Sequence, residues 1–333
     1  MTSIIKTSLD DNRMVLAEVI PLKTPFTIQI EPSSICNFKC NYCIQSSFEM
    51  QNKNVMEWST FLRLCEQIQE FDDKLKQITI SGWGEPLINK NLPRMISHLK
   101  ELNVTEKIFF YTNGSLINRE LTLSLINSGV DIIKISLQGM TQNKYFEICG
   151  VKIDFERLVN NIRFLYENKK QCEIFIKIAD ISLNEREDQL FYSTFGDITD
   201  RMYIENIRPV FDKVNGNFRI DTNKTITKFG HIHSPIMVCP LPFYIMKISS
   251  SGDIYPCCHY YDPTKFGNIN NSNLKEIWNG DNRRNFLKML LSKNRNTQKK
   301  YPICNNCKFP DMTIVPGDEL DSHTDKISLN FQK

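Results

Sequence analysis

The sequence predicts an α/β fold, either an open partial barrel or a doubly wound parallel sheet, followed by a small cysteine-rich domain. Short β-rich runs alternate with amphipathic stretches from residue 26 to about residue 208, an order that favours parallel strands with right-handed crossovers. The pattern holds six units, fewer than the eight of a closed barrel. Eleven cysteines among the 333 residues gather near the start of this region and beyond its end.

Each strand of the predicted sheet is a short β-rich run, and an amphipathic helix follows all but the last. The strands are Phe26–Glu31, Lys76–Ser81, Lys107–Thr112, Asp131–Leu137, Glu173–Ile178 and Arg201–Arg208. The helices are Trp58–Glu70, Leu92–Leu102, Asn118–Asn127, Asp154–Glu167 and Asn184–Phe195. The third helix carries Leu121, Leu125 and Ile126 at the spacing of one helix face.

The composition changes after the last predicted strand. Residues 1–25 form an N-terminal extension, 26–208 the strand–helix region, 209–238 a connector without periodicity, 239–315 a cysteine-rich domain and 316–333 a polar, loosely ordered tail. Within 239–315 we expect a hairpin, Phe243–Ile248 with Asp253–Tyr255, and one helix around Leu274–Leu291. A segment this small needs a metal centre to hold it together.

Charge and hydropathy exclude several classes of function. The 41 Lys and Arg against 38 Asp and Glu give a net charge of +3, which is no footprint of nucleic-acid binding. Residues 1–26 lack a signal-peptide pattern, and no apolar run is long enough to span a membrane. We therefore expect a soluble, cytoplasmic chain that binds neither nucleic acid nor membrane.

The tightest group of cysteines is Cys36, Cys40 and Cys43, directly after the first predicted strand. Its loop lies at the C-terminal rim, where barrel-like folds build active sites. Three thiolates leave one metal position open for another ligand, whereas structural zinc sites and ordinary 4Fe–4S clusters use four protein ligands. Packing of the thiols as small hydrophobes, or zinc with a remote fourth ligand, is the alternative. For Cys65, Cys149 and Cys172 we expect core packing.

This C-x3-C-x2-C loop resembles the signature of the radical SAM superfamily, and the resemblance covers most of the chain. It implies a partial (β/α)6 TIM-like barrel whose three cysteines hold a 4Fe–4S cluster, with S-adenosylmethionine on the open iron. Tyr42, just before the third cysteine, is similar to the aromatic residue that lies against the adenine. The resemblance also implies an external electron donor such as flavodoxin or ferredoxin.

The segment Gly82-Trp83-Gly84-Glu85 closes the second strand, and alone it would be only a turn. Beside the cysteine loop it resembles the glycine-rich loop of the same family, which receives the methionine ammonium. The resemblance implies backbone contacts from Gly82, Trp83 and Gly84, and a charged contact from Glu85.

Two further strand ends lie at the same rim. Asn113 follows the third strand, and Ser136 and Gln138 end the fourth. The latter pair resembles the S-x-D-G segment of the family, in which Ser136 would contact the ribose or the methionine carboxylate, with Gln138 in place of the usual Asp. Asn184, after the fifth strand, would reach the nucleoside or cap a helix.

A second metal site is predicted from Cys239, Cys257, Cys304 and Cys307. Their spacing resembles the front half of the SPASM-type auxiliary domain, truncated to the smaller twitch form, which holds one auxiliary 4Fe–4S cluster. A zinc ribbon on the same ligands is the alternative. Cys258 is an alternative to Cys257 as ligand.

The sequence predicts the substrate less directly than it predicts the cofactors. Arg208 and Lys177 are candidates to bind an acidic substrate group or take a proton, and the alternative for both is a supporting ion pair. About 25 residues precede the first strand, too few for the peptide-recognition domain of many peptide-modifying relatives. We therefore expect hydrogen abstraction that oxidises a sugar or cyclitol alcohol. The alternatives are a peptide maturase that epimerises or cross-links, and a non-catalytic, zinc-stapled interaction protein.

Overall fold

The strands that the structure describes form one sheet. The structure is a computed structural model, and it describes residues 3–9, 13–43, 45, 53–207, 226–232, 235–257, 265–293, 304 and 307–331. Within this part of the chain the sheet has ten strands in the order β1-β7-β6-β5-β4-β3-β2-β8-β9-β10. Their bounds are β1 Ile4–Ile5, β2 Thr27–Ile30, β3 Gln77–Ile80, β4 Ile108–Thr112, β5 Ile132–Leu137, β6 Glu173–Ala179, β7 Arg201–Glu205, β8 Ile245–Ile248, β9 Asp253–Tyr255 and β10 Gly267–Asn268.

The six predicted strands correspond to β2–β7, which pair in parallel in sequence order. β1 adds in parallel to the outer edge of β7 and was not predicted, since two residues carry too little pattern. The last predicted strand ends at Glu205 rather than Arg208. A mixed α/β chain with this large parallel sheet confirms the predicted fold class.

The helices of this region are α1 Leu16–Val19, α2 Trp58–Ile68, α3 Leu92–Leu102, α4 Arg119–Asn127, α5 Gln142–Cys149, α6 Phe155–Asn168 and α7 Glu187–Phe195. Side chains cap several of them: Asn118 accepts from the Leu121 amide at 2.9 Å, and Asp154 accepts from the Arg157 amide at 2.9 Å. Sequence patterns missed α5. The predicted start of α7, Asn184, is three residues too early. Asn184 lies before the helix, and its side chain donates to Glu187.

The two faces of the sheet differ in chemistry. Alternate strand residues, most of them isoleucine, pack with buried side chains of α2–α7 in one core. On the opposite face, called the inner face below, Phe109, Ile132 and Phe175 form a separate cluster that contacts Tyr111 and Tyr203. A doubly wound sheet would carry helices on both faces. Helix packing on one face therefore supports the partial barrel.

The cysteine-rich domain extends the sheet of the barrel. β8 pairs in parallel with β2, and β9 turns back antiparallel to it. The remaining helices are α8 Leu241–Tyr244, α9 Leu274–Asn279, α10 Asp281–Leu291, α11 Phe309–Thr313 and α12 Thr324–Asn330. The single helix predicted around Leu274–Leu291 is thus two helices that meet at Gly280.

The described part of the C-terminal tail, residues 316–331, is ordered, contrary to the prediction. Leu320 and Ile327 are buried with Phe243 and Phe286 in a second hydrophobic core. The polar appearance of the tail arose because α12 buries only one narrow stripe of side chains. In the described residues, no helix has the length and apolar character of a membrane span.

Candidate active site

The loop that carries Cys36, Cys40 and Cys43 follows β2 and contacts the end of α5. The Lys39 and Asn41 amides donate to the carbonyls of Cys149 and Ile148 at 3.0 and 2.9 Å, and the Asn41 side chain donates to the Glu147 carbonyl at 3.1 Å. The last carbonyls of a helix have no partner within the helix. The unpredicted helix α5 therefore positions the cysteine loop.

The three thiols of this loop lie close enough to affect one another. Burial raises the pKa of Cys36 to about 11, with smaller contributions from Glu85 and Cys43. The pKa of Cys40 is raised by its hydrogen bond to Cys149, by burial and by Cys43 and Cys36. Without a bound cation such thiols stay protonated. Iron would supply the positive charge that stabilises the thiolates, so the donor set fits a cluster with an open metal position.

Cys149 was expected in the core, and the structure gives it a second contact. It is fully buried, its thiol donates to the Tyr145 carbonyl at 2.8 Å, and it is hydrogen-bonded to Cys40. Its position more than a hundred residues after Cys40 in the sequence gives no local signal of this contact.

Glu85 connects the glycine-rich segment to the end of β4. Its carboxylate is 3% exposed and accepts from the Leu87 amide at 3.1 Å, the Thr112 hydroxyl at 2.7 Å and the Asn113 amide at 2.7 Å. Burial raises the pKa of Glu85 to about 7, although these hydrogen bonds oppose the shift. The structure thus gives Glu85 a bracing role, while its contact with a methionine ammonium stays a prediction.

Neither glycine of this segment has room for a larger side chain. A Cβ atom on Gly84 would lie 2.2 Å from the Ile35 carbonyl oxygen and 2.5 Å from that of Ser33. One on Gly82 would lie 2.3 Å from the Glu31 carboxylate, which accepts from the Trp83 amide at 2.9 Å. The segment therefore lies directly against the chain that leads into the cysteine loop.

Tyr42, Gln138 and Ser136 are brought together, as expected of residues at one rim. The Tyr42 hydroxyl donates to the Gln138 side-chain oxygen, and the Gln138 amide donates to the Ser136 carbonyl at 3.1 Å. Burial raises the pKa of Tyr42 well above its ordinary value. Gln138, which stands where the family has Asp, thus fixes the aromatic residue of the cysteine loop.

Asn113 joins the same group from the end of β4. Its side chain donates to Asn37 in the cysteine loop at 2.9 Å, and its side-chain oxygen accepts from the Ser115 hydroxyl at 2.6 Å. Asn184 differs from these residues: it is exposed, and its side chain donates to Glu187 at 3.1 Å.

Lys177 lies on the inner face and forms an ion pair, the alternative that the sequence left open for it, with a partner that the sequence did not identify. Its Nζ is 2.5 Å from one Glu205 oxygen, and Lys228 lies 3.1 Å from the other. Burial would raise the pKa of Glu205, yet the two lysines lower it to about 2. Arg208, the other candidate for this role, falls outside the described residues.

The four auxiliary cysteines also converge. The pKa of Cys239 is raised well above its ordinary value by burial and by nearby Cys257, Cys307 and Cys304. Among the described residues, no three His, Cys, Asp or Glu side chains are grouped to hold a single metal ion. An iron–sulfur cluster would make a different demand, because each of its cysteine ligands would bind a different iron. Cys258 lies outside the described residues.

Family models match both parts of the chain. Residues 30–188 match the model described as radical SAM superfamily, and residues 239–308 match SPASM, described as an iron–sulfur cluster-binding domain. Both matches contain the cysteine groups described above.

Two curated relatives align over most of the chain. S-adenosyl-L-methionine-dependent 2-deoxy-scyllo-inosamine dehydrogenase of Niallia circulans is 23% identical, over 84% of this chain and 91% of the relative. The tungsten-containing aldehyde ferredoxin oxidoreductase cofactor-modifying protein of Pyrococcus furiosus is 22% identical, over 85% and 87%.

Two solved structures share the fold. BtrN in complex with AdoMet and 2-DOIA has a TM-score of 0.55 at 20% identity, covering 85% of this chain and 92% of that one. SuiB of Streptococcus suis bound to precursor peptide SuiA has a TM-score of 0.60 at 19% identity, covering 80% and 67%.

Proposed function

We propose that this chain, which belongs to the radical SAM superfamily and carries a SPASM-type auxiliary domain, oxidises an alcohol carbon of a sugar or cyclitol. Cys36, Cys40 and Cys43 would hold the cluster that binds S-adenosylmethionine, and Cys239, Cys257, Cys304 and Cys307 the auxiliary cluster. The first cluster together with S-adenosylmethionine would supply a 5′-deoxyadenosyl radical to remove one hydrogen atom. The auxiliary cluster would supply an acceptor for the electron of the substrate radical, whose hydroxyl proton would be released to solvent.

The observation that carries this proposal is the polar inner face of the strands that lead to the cysteine loop. Parallel strands buried on both faces are normally apolar throughout. Here Gln29 donates to the Ser81 hydroxyl at 3.1 Å, and Gln77 donates to the Thr27 hydroxyl at 3.1 Å. Hydroxyl and amide groups of this kind suit a polyol, which presents many hydrogen-bonding groups and little apolar surface.

The residues at the rim would hold the cofactor and keep water away from it. Glu85 and Asn113 fix the glycine-rich segment and the cysteine loop in one position, and Gln138 fixes Tyr42 against them. A reactive radical requires such a closed, pre-arranged site. Ser136, Trp83 and Asn184 remain candidates for contacts with the nucleoside and methionine groups.

Two relatives support different substrates for this chain. A cyclitol dehydrogenase aligns with 84% of the chain, which favours alcohol oxidation. A peptide-bound relative shares the fold over 80% of the chain, which keeps a peptide-modifying maturase as the second candidate. We also propose a small external electron donor, a flavodoxin or ferredoxin, for the first cluster.

Anaerobic reconstitution tests the proposal. The chain is loaded with iron and sulfide, mixed with S-adenosylmethionine and dithionite, and assayed for 5′-deoxyadenosine. We then expect one sugar or cyclitol of a panel to lose two hydrogens, one carbonyl forming per 5′-deoxyadenosine. If zinc outcompetes iron and no 5′-deoxyadenosine forms, the chain is a zinc-stapled protein instead.

A further inference from the structure

The inner face of the barrel carries a group of lysines around Tyr111. Lys134 lies over the Phe109 ring at 3.8 Å and over the Tyr111 ring at 5.2 Å, and Lys177 lies 5.5 Å from the Tyr111 ring. Burial would raise the pKa of Tyr111, yet Lys134, Lys177 and Lys228 lower it. Three cations therefore act on one phenol inside the fold.

One of these cations, Lys134, has no carboxylate partner among the described residues. Glu205 is shared by Lys177 and Lys228, at 2.5 and 3.1 Å. Lys134 is 4% exposed, and its Nζ reaches the Ser8 carbonyl at 3.4 Å, while none of the ion pairs among the described residues gives it a carboxylate. A buried charge without an opposite charge is strongly unfavourable. The carboxylates that the structure describes near Tyr111 thus leave Lys134 without an opposite charge.

Other charged groups on the same face do not change this balance. Lys247 pairs with Glu31 at 3.2 Å, and Arg201 pairs with Glu173 at 2.8 Å. Each of these pairs is neutral as a unit. Among the described residues, the cation without a carboxylate partner is therefore Lys134, and Lys177 and Lys228 lie near it around Tyr111.

Lys134 lies below the level of the rim. It lies on β5, four residues before Gln138, and beside Tyr111 of the neighbouring strand β4, so its backbone is about 13 Å from the rim along the strand. Gln138 contacts Tyr42 of the cysteine loop. A molecule that spans this distance would place one end at Lys134 and the other beside the cysteine loop.

We infer that the substrate is an acidic sugar or cyclitol, whose phosphate or carboxylate is bound by Lys134 together with Lys177 and Lys228. The reacting carbon then lies toward the rim, near Tyr42 and Gln138. This inference rests on the proposed function and narrows it. An amino sugar, which is cationic at neutral pH, is disfavoured by the same charges.

Calorimetric binding to the reconstituted chain with S-adenosylmethionine tests the inference. The probes are glucose 6-phosphate, gluconate, glucose and glucosamine. We expect at least one of the two acidic probes to bind about tenfold or more tightly than glucose, and glucosamine more weakly still. A phosphate requirement appears as binding of glucose 6-phosphate alone, and a carboxylate requirement as binding of gluconate alone. Equal or absent binding of acidic and neutral probes overturns the inference, and this comparison needs no variant.

A charge-removing variant locates the site. Lys134→Met should weaken binding of the acidic probe about tenfold or more, while Lys134→Arg retains most of it. Lys76→Met, which removes an exposed lysine paired with Glu106, is the matched control and should bind as the parent does. Unchanged affinity in Lys134→Met overturns the assignment.

The same measurements separate this inference from the proposed function. The iron content and the binding of S-adenosylmethionine should be unaffected by Lys134→Met. If acidic probes bind at Lys134 but no acidic sugar or cyclitol is ever oxidised, the anion site stands and the proposed oxidation fails. If a neutral alcohol is oxidised and acidic probes do not bind, the proposed oxidation stands and the anion site is wrong.

Discussion

At the scale of single residues, the protein uses buried polar groups to bring loops together at the active site. Glu85 is the clearest case, because one carboxylate binds three groups from its own segment and from the end of β4. Cys149 is another, since it joins the end of α5 to a proposed cluster ligand. Such buried groups are costly if unpaired, so each ties its loops firmly in place.

The two proposed clusters give a prediction about iron content. Replacing Cys36, Cys40 and Cys43 by Ala should reduce iron from about eight to about four per chain, because the auxiliary cysteines form a separate group. Iron and sulfide assays with electron paramagnetic resonance measure this. Cys149→Ser should keep about eight irons, and Cys65→Ala, at a buried site in the core, serves as control. Complete loss of iron in the triple variant would contradict an independent auxiliary site.

The raised pKa of Glu85 gives a prediction about pH. A carboxyl whose pKa rises to about 7 on folding keeps its proton in the folded state while the unfolded chain releases it. Stability therefore falls as the pH rises from the unfolded value toward 7. The free energy of unfolding should decrease by roughly 2 kcal/mol between pH 5.5 and 8. Glu85→Gln should lose this part of the pH dependence in urea unfolding, and parallel pH profiles for both proteins would count against it.

At the scale of elements, the cysteine loop depends on what packs beneath it. The glycine-rich segment contacts the chain before the loop so closely that Gly84 has no room for a side chain. The end of α5 supplies the carbonyls that hold the loop from the other side. The loop is thus positioned by one segment that the sequence indicated and by one helix that it did not.

Gly84→Ala should distort this arrangement. Its Cβ would lie 2.2 Å from a backbone oxygen of Ile35, and backbone cannot rotate away as a flexible side chain can. We expect a loss of roughly 2 kcal/mol or more in stability and impaired loading of the first cluster, measured by urea unfolding and iron content. Gly317→Ala, where the nearest atom is an ordinary 3.4 Å away, should behave as the parent.

The six strands of the barrel were predictable because their residues alternate or run apolar between clear turns, and each begins within one residue of its expected start. β8 begins two residues later than expected. Helix α5 was missed because it is only eight residues long, although Tyr145, Ile148 and Cys149 stand at the spacing of one helix face. Gly280 interrupts a continuous amphipathic pattern that gives no other sign of two helices. A local sequence pattern indicates which face of a helix is buried, whereas the position at which a helix breaks depends on tertiary packing.

The site was predictable in part. The first cysteine group, Gly82 to Glu85 and Gln138 stand at strand ends, where parallel topology brings them to one edge. Glu205 and Cys149 carry no such signal, because their partners Lys177 and Cys40 are distant in sequence. Contacts of this kind are specified by the register of the sheet and the docking of a helix.

At the scale of the whole molecule, the barrel and the cysteine-rich domain share one sheet. β8 belongs to the domain and pairs along its whole length with β2. Glu31, directly after β2, binds Lys247 of β8 and the Trp83 amide of the glycine-rich segment. The auxiliary domain is thereby connected, through one carboxylate, to the loops around the first cluster.

This connection predicts coupling between the two parts. Lys247 and Glu31 are 3% and 2% exposed, so Lys247→Met leaves a buried carboxylate without its cation. The expected loss in the free energy of unfolding is roughly 3–5 kcal/mol. The double variant Lys247→Met with Glu31→Gln should recover part of it, because neither charge then remains buried alone.

Urea unfolding of the four proteins in this double-mutant cycle measures the coupling. Lys265→Met is the matched control, since Lys265 pairs with Asp253 on the same hairpin but is half exposed, and it should cost less than about 1 kcal/mol. Additive losses from Lys247 and Glu31 would mean that the pair does not connect the parts. Strong coupling would mean that changes in the auxiliary domain reach the glycine-rich segment through Glu31, because the Trp83 amide depends on the same carboxylate.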